Sequence, residues 1–390
     1  MSTEQSSIDK PIIPINKPWL DEEEKNEIMS VLRENVLTSA AKDGGKKVRG
    51  FEGFLKDYLH VKHALAVNSG TSALHAALLA AGIGEGDEVL LPSFTFVATA
   101  NSVVAAGAKP VFVDVNRHDY TIDIQDLKAK ITKKSKAIIP VHLYGHPCDM
   151  DEVIETAEKQ SISIIEDACQ SLGSTYKNKQ TGTFGLLGCF SLYASKVLTS
   201  GEGGAVVTND DDLAEKIKMI RNHGMVEGYD TRIFGLNLRL PELSAALAMA
   251  QMNRLGKMLD LRKRNADSLT DLVSSFANHN GVILPHESQN KRLNWYLYTI
   301  TFTKDNVRDA VQKKMVQRDK VGATVYYDPP VHRTPYYERM WASETNSSML
   351  RRSDLGNTDW ASEHVLSLPI HPLVTQQELE RIAHSLKGAL

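Results

Sequence analysis

Residues 64–91 read ALAVNSGTSALHAALLAAGIGEGDEVLL, and this stretch decides the fold class. The short apolar run Ala64–Val67 predicts a strand, and the alanine- and leucine-rich run after residues 68–72 (NSGTS) predicts a helix ending near Ala81. A glycine-rich turn then leads to a second predicted strand, Val89–Leu91. A strand, a helix of ten or more residues and another strand are typical of a βαβ unit in a parallel sheet.

The same alternation continues to about residue 260 and predicts an α/β fold with a doubly wound, mostly parallel sheet. Further strands are predicted at Pro110–Val113, Lys136–Val141 and Ser163–Ile165, with helices at Asp21–Arg33, Thr95–Ala106 and Asp151–Lys159. We expect residues 1–20 to form an N-terminal arm, 21–258 a large α/β domain and 259–390 a smaller α+β C-terminal domain.

The C-terminal third has a mixed pattern. Strands are predicted at Trp295–Phe302 and Thr324–Tyr327, and helices through Asp260–Arg264, over Asn306–Lys314 and over Thr375–Lys387. The polar stretch Glu338–Asp359 is expected to be rich in loops.

Composition and charge exclude several classes of protein. The formal net charge of -3 over 390 residues gives no general basic field for nucleic acid. The cysteines, Cys148, Cys169 and Cys189, match no zinc-ligand spacing and no disulfide framework, so we expect no metal site and a reducing compartment. The N-terminus lacks an apolar signal core, and no run approaches the roughly 18 apolar residues of a membrane span. A cytoplasmic protein without membrane contact is therefore predicted.

Three motifs indicate chemistry, although each has an ordinary alternative when taken alone. The helix start at Gly70-Thr71 offers free amides and a favourable dipole to a phosphate, or is simply a capped helix. Glu166-Asp167 end a strand where ligands of open α/β sheets bind, or are surface acids. Because strand neighbours point to opposite faces, one of these two carboxylates can face a ligand.

The third motif is Lys196, which ends the apolar, aromatic run CFSLYAS and precedes the glycine-rich turn GEGG. Most lysines are solvated, but partial burial would favour the neutral, nucleophilic amine that a Schiff base requires. A phosphate cup, a carboxylate and a buried amine are together the three anchors that pyridoxal phosphate needs.

At this point the sequence resembles a known family, the DegT-type sugar aminotransferases. These belong to the aspartate-aminotransferase-like (fold-type I) pyridoxal-phosphate enzymes. The resemblance covers nearly the whole chain, and its motifs occur in order as NSGTSAL, LPSFTF, PVHLYG, EDACQS, FSLYASK, GEGG, RNHG and GLNLR.

The resemblance implies a role for four residues that would meet the cofactor ring or its aldehyde. Lys196 would hold the cofactor as a Schiff base and then carry protons as an acid and base. Asp167 would pair with the protonated ring nitrogen, Phe96 would stack on the ring, and Gln170 would hydrogen-bond the ring hydroxyl.

It also implies a phosphate site and a partner subunit. Gly70, Thr71 and Ser191 would hold the phosphate, and Asn237 would reach it from the neighbouring subunit, which makes a homodimer with shared active sites. The implied reaction moves an amino group from glutamate, the expected donor, to a keto group of a nucleotide-linked deoxysugar.

Two other functions remain open at this level. One is a sugar dehydratase, although related dehydratases carry histidine where this chain has Lys196. The other is a non-catalytic regulatory protein that binds the cofactor, since some relatives were first noticed as regulatory proteins. Four cationic residues are plausible substrate contacts but fit salt bridges or caps equally well: Arg221, His223, Arg239 and His332.

Overall fold

The computed structural model describes residues 11–342 and 355–390, and in these ranges the chain forms helices and strands in alternation. The strands are β1 His63–Val67, β2 Glu88–Pro92, β3 Lys109–Val113, β4 Ser135–Ile138, β5 Ser163–Asp167, β6 Thr175–Tyr176, β7 Lys179–Gln180, β8 Leu187–Ser191, β9 Gly204–Thr208, β10 Val282–Ile283, β11 Lys291–Arg292, β12 Tyr298–Phe302 and β13 Val365–Leu368. The helices are α1 Glu22–Glu34, α2 Lys46–Leu59, α3 Gly70–Ala80, α4 Ala98–Ala105, α5 Ile124–Lys130, α6 Met150–Gln160, α7 Asp211–Ile220, α8 Glu242–Ala277, α9 Arg308–Lys313, α10 Pro335–Ala342, α11 Gly356–His364 and α12 Gln376–Ala389.

The large sheet has seven strands in the order β1-β9-β8-β5-β4-β2-β3. Strand β9 is antiparallel to both neighbours, whereas β8, β5, β4, β2 and β3 pair in parallel. The predicted mostly parallel sheet is therefore confirmed.

Both faces of this sheet are covered, which makes it doubly wound. In β5, Ile165 joins the core that contains α3, while its neighbour Ile164 joins a separate core with Met150 and Val153 of α6. Period-two alternation puts neighbours on opposite faces, so the two adjacent isoleucines are buried against opposite helical layers.

A second, three-stranded sheet (β10-β12-β13) lies in the C-terminal region, by which we mean residues 278–342 and 355–390. Its core combines Ile300 of β12 and Leu366 of β13 with Leu269 of α8 and Ile382 of α12. Ile13 of the N-terminal segment is also buried in this core. Helix α8 runs unbroken through residues 258 and 259, where the domain boundary is predicted.

Several helix starts follow from local capping. Asp21 and Glu24 form a capping box at α1, and Thr375 and Glu378 form one at α12. Each box satisfies two backbone N–H groups that a helix start leaves without partners, so these helices begin where the sequence predicts them. In the described part of the chain, no helix has both the length and the apolar composition that a membrane span requires.

Two local predictions differ from the structure, and one helix was not predicted. The predicted strand Thr324–Tyr327 forms a single β-bridge, between Thr324 and Ser367, and the following residues do not continue the pairing. The stretch Glu338–Asp359, expected to be rich in loops, begins within helix α10 and ends within helix α11. Its residues 343–354 lie outside the described ranges. Helix α2 was not predicted, since Gly50 and Gly53 weaken its helical signal, and packing of Phe51 and Leu55 stabilises it instead.

Candidate active site

A cavity of about 650 Å³ opens at the carboxyl ends of β5 and β8 and the start of α3. This is the edge of an open α/β sheet at which ligands bind. Seven of the eight predicted site residues line it: Gly70, Thr71, Phe96, Asp167, Gln170, Ser191 and Lys196.

The start of α3 forms one end of the cavity. Ser69 caps the helix by accepting a hydrogen bond from the Ser72 amide at 3.0 Å. No described residue accepts from the amides of Gly70 and Thr71, so the capped helix start leaves these two amides available to an anion. A Cβ on Gly70 would lie 2.8 Å from the Cβ of Ser191, which means that glycine keeps this cradle open.

The two carboxylates at the end of β5 have separate environments. Glu166 is fully buried and accepts hydrogen bonds from the amides of Gly182 and Phe184 and from His142. Asp167 instead faces the cavity, where its Oδ2 accepts from the Thr99 hydroxyl at 2.8 Å. Strand alternation thus gives Glu166 a structural role and leaves Asp167 to a ligand.

Lys196 lies in the wall of the cavity, beyond the end of β8. Its Nζ is 3.5 Å from the Tyr296 hydroxyl and 4.6 Å from the centre of the Tyr296 ring. The amine is therefore half-buried against an aromatic face rather than free in solvent.

Gln170 is held by the protein on both sides of its amide. Its Oε1 accepts from the Tyr144 amide at 2.9 Å, and its Nε2 donates to the Tyr327 hydroxyl at 3.1 Å. One N–H of the side-chain amide remains for a ligand. Phe96 lies 6.0 Å from the Tyr327 ring and is 54% exposed, so its face is available for stacking.

Burial disfavours the charged forms of three titratable groups in the wall. It raises the pKa of Tyr326 to about 12 and the pKa of Tyr327 well above its ordinary value. Burial, together with the nearby Asp167 carboxylate, also raises the pKa of the Cys169 thiol. Tyr326, Tyr327 and the Cys169 thiol are therefore uncharged at neutral pH.

Several lining residues were not found by sequence reasoning. Thr95, Tyr193, Ser195 and Glu202 lie inside quoted motifs that assigned them no role. Thr99, Tyr296, Tyr326 and Tyr327 lie outside those motifs. For the tyrosines of the C-terminal region no local signal exists, because their proximity to Lys196 arises from tertiary packing.

Asn237 does not line the cavity in the single chain; it is exposed, and its backbone carbonyl accepts from Asn68. The four cationic candidates do not line it either. Arg221 is buried and pairs with Glu52 and the Ala66 carbonyl, while His332 is hydrogen-bonded to Ser93. Arg221 and His332 therefore have structural partners.

One group of metal-ligand type lies outside the cavity. Nitrogen and oxygen atoms of His118, Asp119 and Asp149 lie within 4.8 Å of one another. The Lys291 ammonium is 2.7 Å from the Asp119 carboxylate and 2.9 Å from that of Asp149. The Lys291 ammonium therefore neutralises these two carboxylates in place of a metal cation.

The cavity fits pyridoxal phosphate by the chemistry of its donors. The free amides at the start of α3 and the Ser191 hydroxyl suit a phosphate, Asp167 suits a protonated ring nitrogen, and Lys196 suits an aldehyde. The open cradle at Gly70 leaves room at the phosphate end.

Comparisons with known proteins point to the same chemistry. A sequence profile of the DegT/DnrJ/EryC1/StrS aminotransferase family matches residues 18–387. The GDP-perosamine synthase of Caulobacter vibrioides is 36% identical and covers 98% of this chain and 99% of its own length. The pleiotropic regulatory protein of Geobacillus stearothermophilus is 35% identical and covers 95% of this chain and 98% of its own.

A solved structure agrees in fold. Helicobacter pylori PseC, an aminotransferase involved in the biosynthesis of pseudoaminic acid, superimposes with a TM-score of 0.87 at 30% identity. The match covers 97% of this chain and 99% of that one. The predicted fold-type I architecture, aminotransferase activity and pyridoxal-phosphate cofactor are thereby confirmed, and the chain belongs to the DegT/DnrJ/EryC1/StrS aminotransferase family.

Proposed function

We propose that this aminotransferase takes an amino group from glutamate and transfers it to a keto group on a nucleotide-linked sugar. The observation that carries the proposal is the meeting of Lys196, Asp167 and the start of α3 around one cavity. When bound, pyridoxal phosphate supplies an aldehyde that condenses with amines and a ring that accepts electron density.

Different residues of the protein bind the phosphate and the ring nitrogen of the cofactor. The amides of Gly70 and Thr71 and the hydroxyl of Ser191 bind the phosphate, where the dipole of α3 favours negative charge. Asp167, oriented by the Thr99 hydroxyl, keeps a negative charge beside the ring nitrogen and so maintains its proton.

Three further groups would fix the ring and move protons. Phe96 would cover one face of the ring, and the free N–H of Gln170 would bind the ring hydroxyl. Lys196 would hold the cofactor aldehyde at rest; when the amino donor takes its place, the freed amine would take the proton from the donor's amine-bearing carbon and deliver it to the carbon that carried the aldehyde.

The nucleotide-linked sugar is proposed from the relatives. The GDP-perosamine synthase name identifies a product that carries a guanosine diphosphate. The cavity is lined by aromatic side chains, including Phe96, Tyr193 and Tyr326, which offer faces to a sugar ring.

We further propose a homodimer in which Asn237 of each subunit completes the phosphate site of the other. Asn237 is exposed in the single chain and outside its cavity, which agrees with a role toward a second copy. We place this enzyme in the cytoplasm.

The test has two stages. Glutamate is added to the protein loaded with pyridoxal phosphate, and conversion of the cofactor to its amine form is followed by absorbance. Keto-sugars linked to GDP, UDP and dTDP are then added separately. The proposal expects one of them to return the absorbance to that of the aldehyde form with formation of an amino sugar, identified by mass spectrometry.

Each alternative has its own outcome. A protein that keeps the aldehyde-form absorbance with glutamate and removes water from a sugar would be a dehydratase. Because one similar protein is named a pleiotropic regulatory protein, the other alternative is a regulator that binds the cofactor without catalysis. Tight cofactor binding without turnover of any keto-sugar would support that hypothesis and contradict ours.

A further inference from the structure

Tyr296 reaches Lys196 from a distant part of the chain. Its hydroxyl is 3.5 Å from Nζ, its ring centre is 4.6 Å from the same atom, and the residue is only 7% exposed. A lysine side chain has a flexible four-carbon stem, so its amine needs a fixed partner to hold one position. In the described chain, Tyr296 is the residue that meets Nζ both through a hydroxyl and through a ring face.

The Tyr296 hydroxyl also contacts the neighbour of Lys196. The Ser195 hydroxyl is 3.3 Å from the Tyr296 hydroxyl. A phenol has one O–H to donate and lone pairs to accept, so Tyr296 can donate to Ser195 while it accepts from Lys196. One hydroxyl thus joins two consecutive residues of the loop that carries the reactive amine.

The backbone of Tyr296 is itself fixed. Its N–H donates to the Asn294 side-chain oxygen at 2.9 Å, and its carbonyl accepts from the Arg262 guanidinium at 3.2 Å. Arg262 is 2% exposed, and burial lowers its pKa to about 10. A buried cation depends on its few hydrogen bonds, so these contacts are costly to break.

The same guanidinium also supports the other side of Lys196. Arg262 donates to the Asn16 side-chain oxygen at 3.1 Å, and the Asn16 amide donates to the Ser195 carbonyl. Arg262 is therefore linked to the lysine loop by two routes, one through Asn16 and one through Tyr296. The N-terminal segment, α8 and the C-terminal region all contribute to this arrangement.

We propose that Tyr296 is a positioning residue for Lys196, whose hydroxyl and ring face hold the free amine in the orientation that meets the cofactor aldehyde. The inference rests on the role of Lys196 in the proposed function. It involves hydrogen bonds and a cation–π contact only, and Tyr296 makes no covalent bond.

The test measures covalent capture of the cofactor without any amino donor or sugar. Cofactor-free protein is mixed with pyridoxal phosphate and quenched with borohydride at successive times, and the reduced adduct on Lys196 is counted by peptide mass spectrometry. Tyr296→Phe removes the hydroxyl and keeps the ring. We expect it to capture the cofactor about five-fold more slowly than the wild type, the effect of losing one hydrogen bond.

The matched control is Tyr298→Phe, which removes another buried hydroxyl from the same segment. The Tyr298 hydroxyl bonds Thr270 at 2.8 Å and lies outside the cavity. We expect Tyr298→Phe to lose some resistance to urea yet to capture the cofactor at the wild-type rate. A purely structural role for Tyr296 would make the two variants behave alike.

Two results would overturn the inference: equal capture rates for wild type and Tyr296→Phe, or equal slowing in both variants. Either one leaves the proposed aminotransfer intact, because the wild type still forms its adduct on Lys196. Failure of the wild type to form an adduct at Lys196 would instead remove the proposed role of Lys196 and this inference with it.

Discussion

The Thr99 hydroxyl of α4 lies 2.8 Å from the Asp167 carboxylate at the end of β5. Asp167 also accepts from the Cys169 amide at 3.1 Å, so each of its oxygens has a protein donor. These two bonds set the direction in which the carboxylate faces the cavity.

We expect Thr99→Val to lower the rate of the glutamate half-reaction by about five- to ten-fold, because Asp167 loses one of its two orienting donors. Thr99→Ser should restore most of the rate, since it keeps the hydroxyl. Thr183→Val is the control; its hydroxyl bonds the Gln180 carbonyl away from the cavity. Stopped-flow absorbance measures the rate, and an unchanged rate in Thr99→Val would show that Asp167 is oriented without it.

Lys196→Ala should abolish both the visible absorbance of the bound cofactor and transamination, because no other described lysine lines the cavity. Lys177→Ala, which removes an exposed lysine paired with Asp151, should leave both properties unchanged. Absorbance titration and an amino-transfer assay check the pair. Transamination by Lys196→Ala would mean that the reactive amine has been misassigned.

Gly70→Ala should weaken cofactor binding by about ten-fold or more, because its Cβ would come within 2.8 Å of Ser191 at the phosphate end. Gly53→Ala is the matched change in helix α2, where an added Cβ meets nothing within 4 Å. The control should bind the cofactor normally and resist urea slightly better. Fluorescence titration gives both affinities, and equal values would place the phosphate elsewhere.

His371 should make the fold sensitive to acid. Burial, aided by the nearby Arg262 charge, lowers the pKa of His371 from 6.5 to about 4. The unfolded chain takes up the proton near the ordinary pKa and the folded chain does not. Stability is thus full above pH 6.5 and falls as pH drops toward 4, by up to about 3 kcal/mol at 1.36 kcal/mol per unit.

His371→Gln cannot take up that proton, so we expect its free energy of unfolding to fall less between about pH 7 and about pH 4.5. Urea denaturation at the two pH values measures the difference. His279→Gln, at an exposed position, serves as the control and should keep the wild-type slope. Parallel slopes for His371→Gln and the wild type would assign the acid sensitivity to other groups.

Mixed subunits test the proposed sharing of the active site between two copies of the chain. Lys196→Ala and Asn237→Ala proteins should each be nearly inactive alone. Unfolded together and refolded as a mixture, they should regain roughly a quarter of wild-type activity, because half the dimers are mixed and each has one intact site. A mixture no more active than its components would contradict a phosphate site completed across the dimer.

Much of this enzyme was determined by short-range sequence signals. Strand, turn and helix patterns around Gly70 predicted the parallel sheet, and residue patterns predicted the helices over Asp21–Arg33 and Thr375–Lys387, whose starts the structure shows to be capped. Lys196 and Asp167 lie in one cavity because the carboxyl ends of parallel strands meet at one sheet edge.

Only the tertiary structure decided which other groups join them. Tyr296 is 100 residues from Lys196 in the chain, and Thr99 is 68 from Asp167, so no local periodicity links either pair. Helix α2 is likewise stabilised by packing against α8 and the sheet rather than by its own glycine-bearing sequence. Propensity and capping act over a few residues, whereas burial and long-range hydrogen bonds depend on how the whole chain packs.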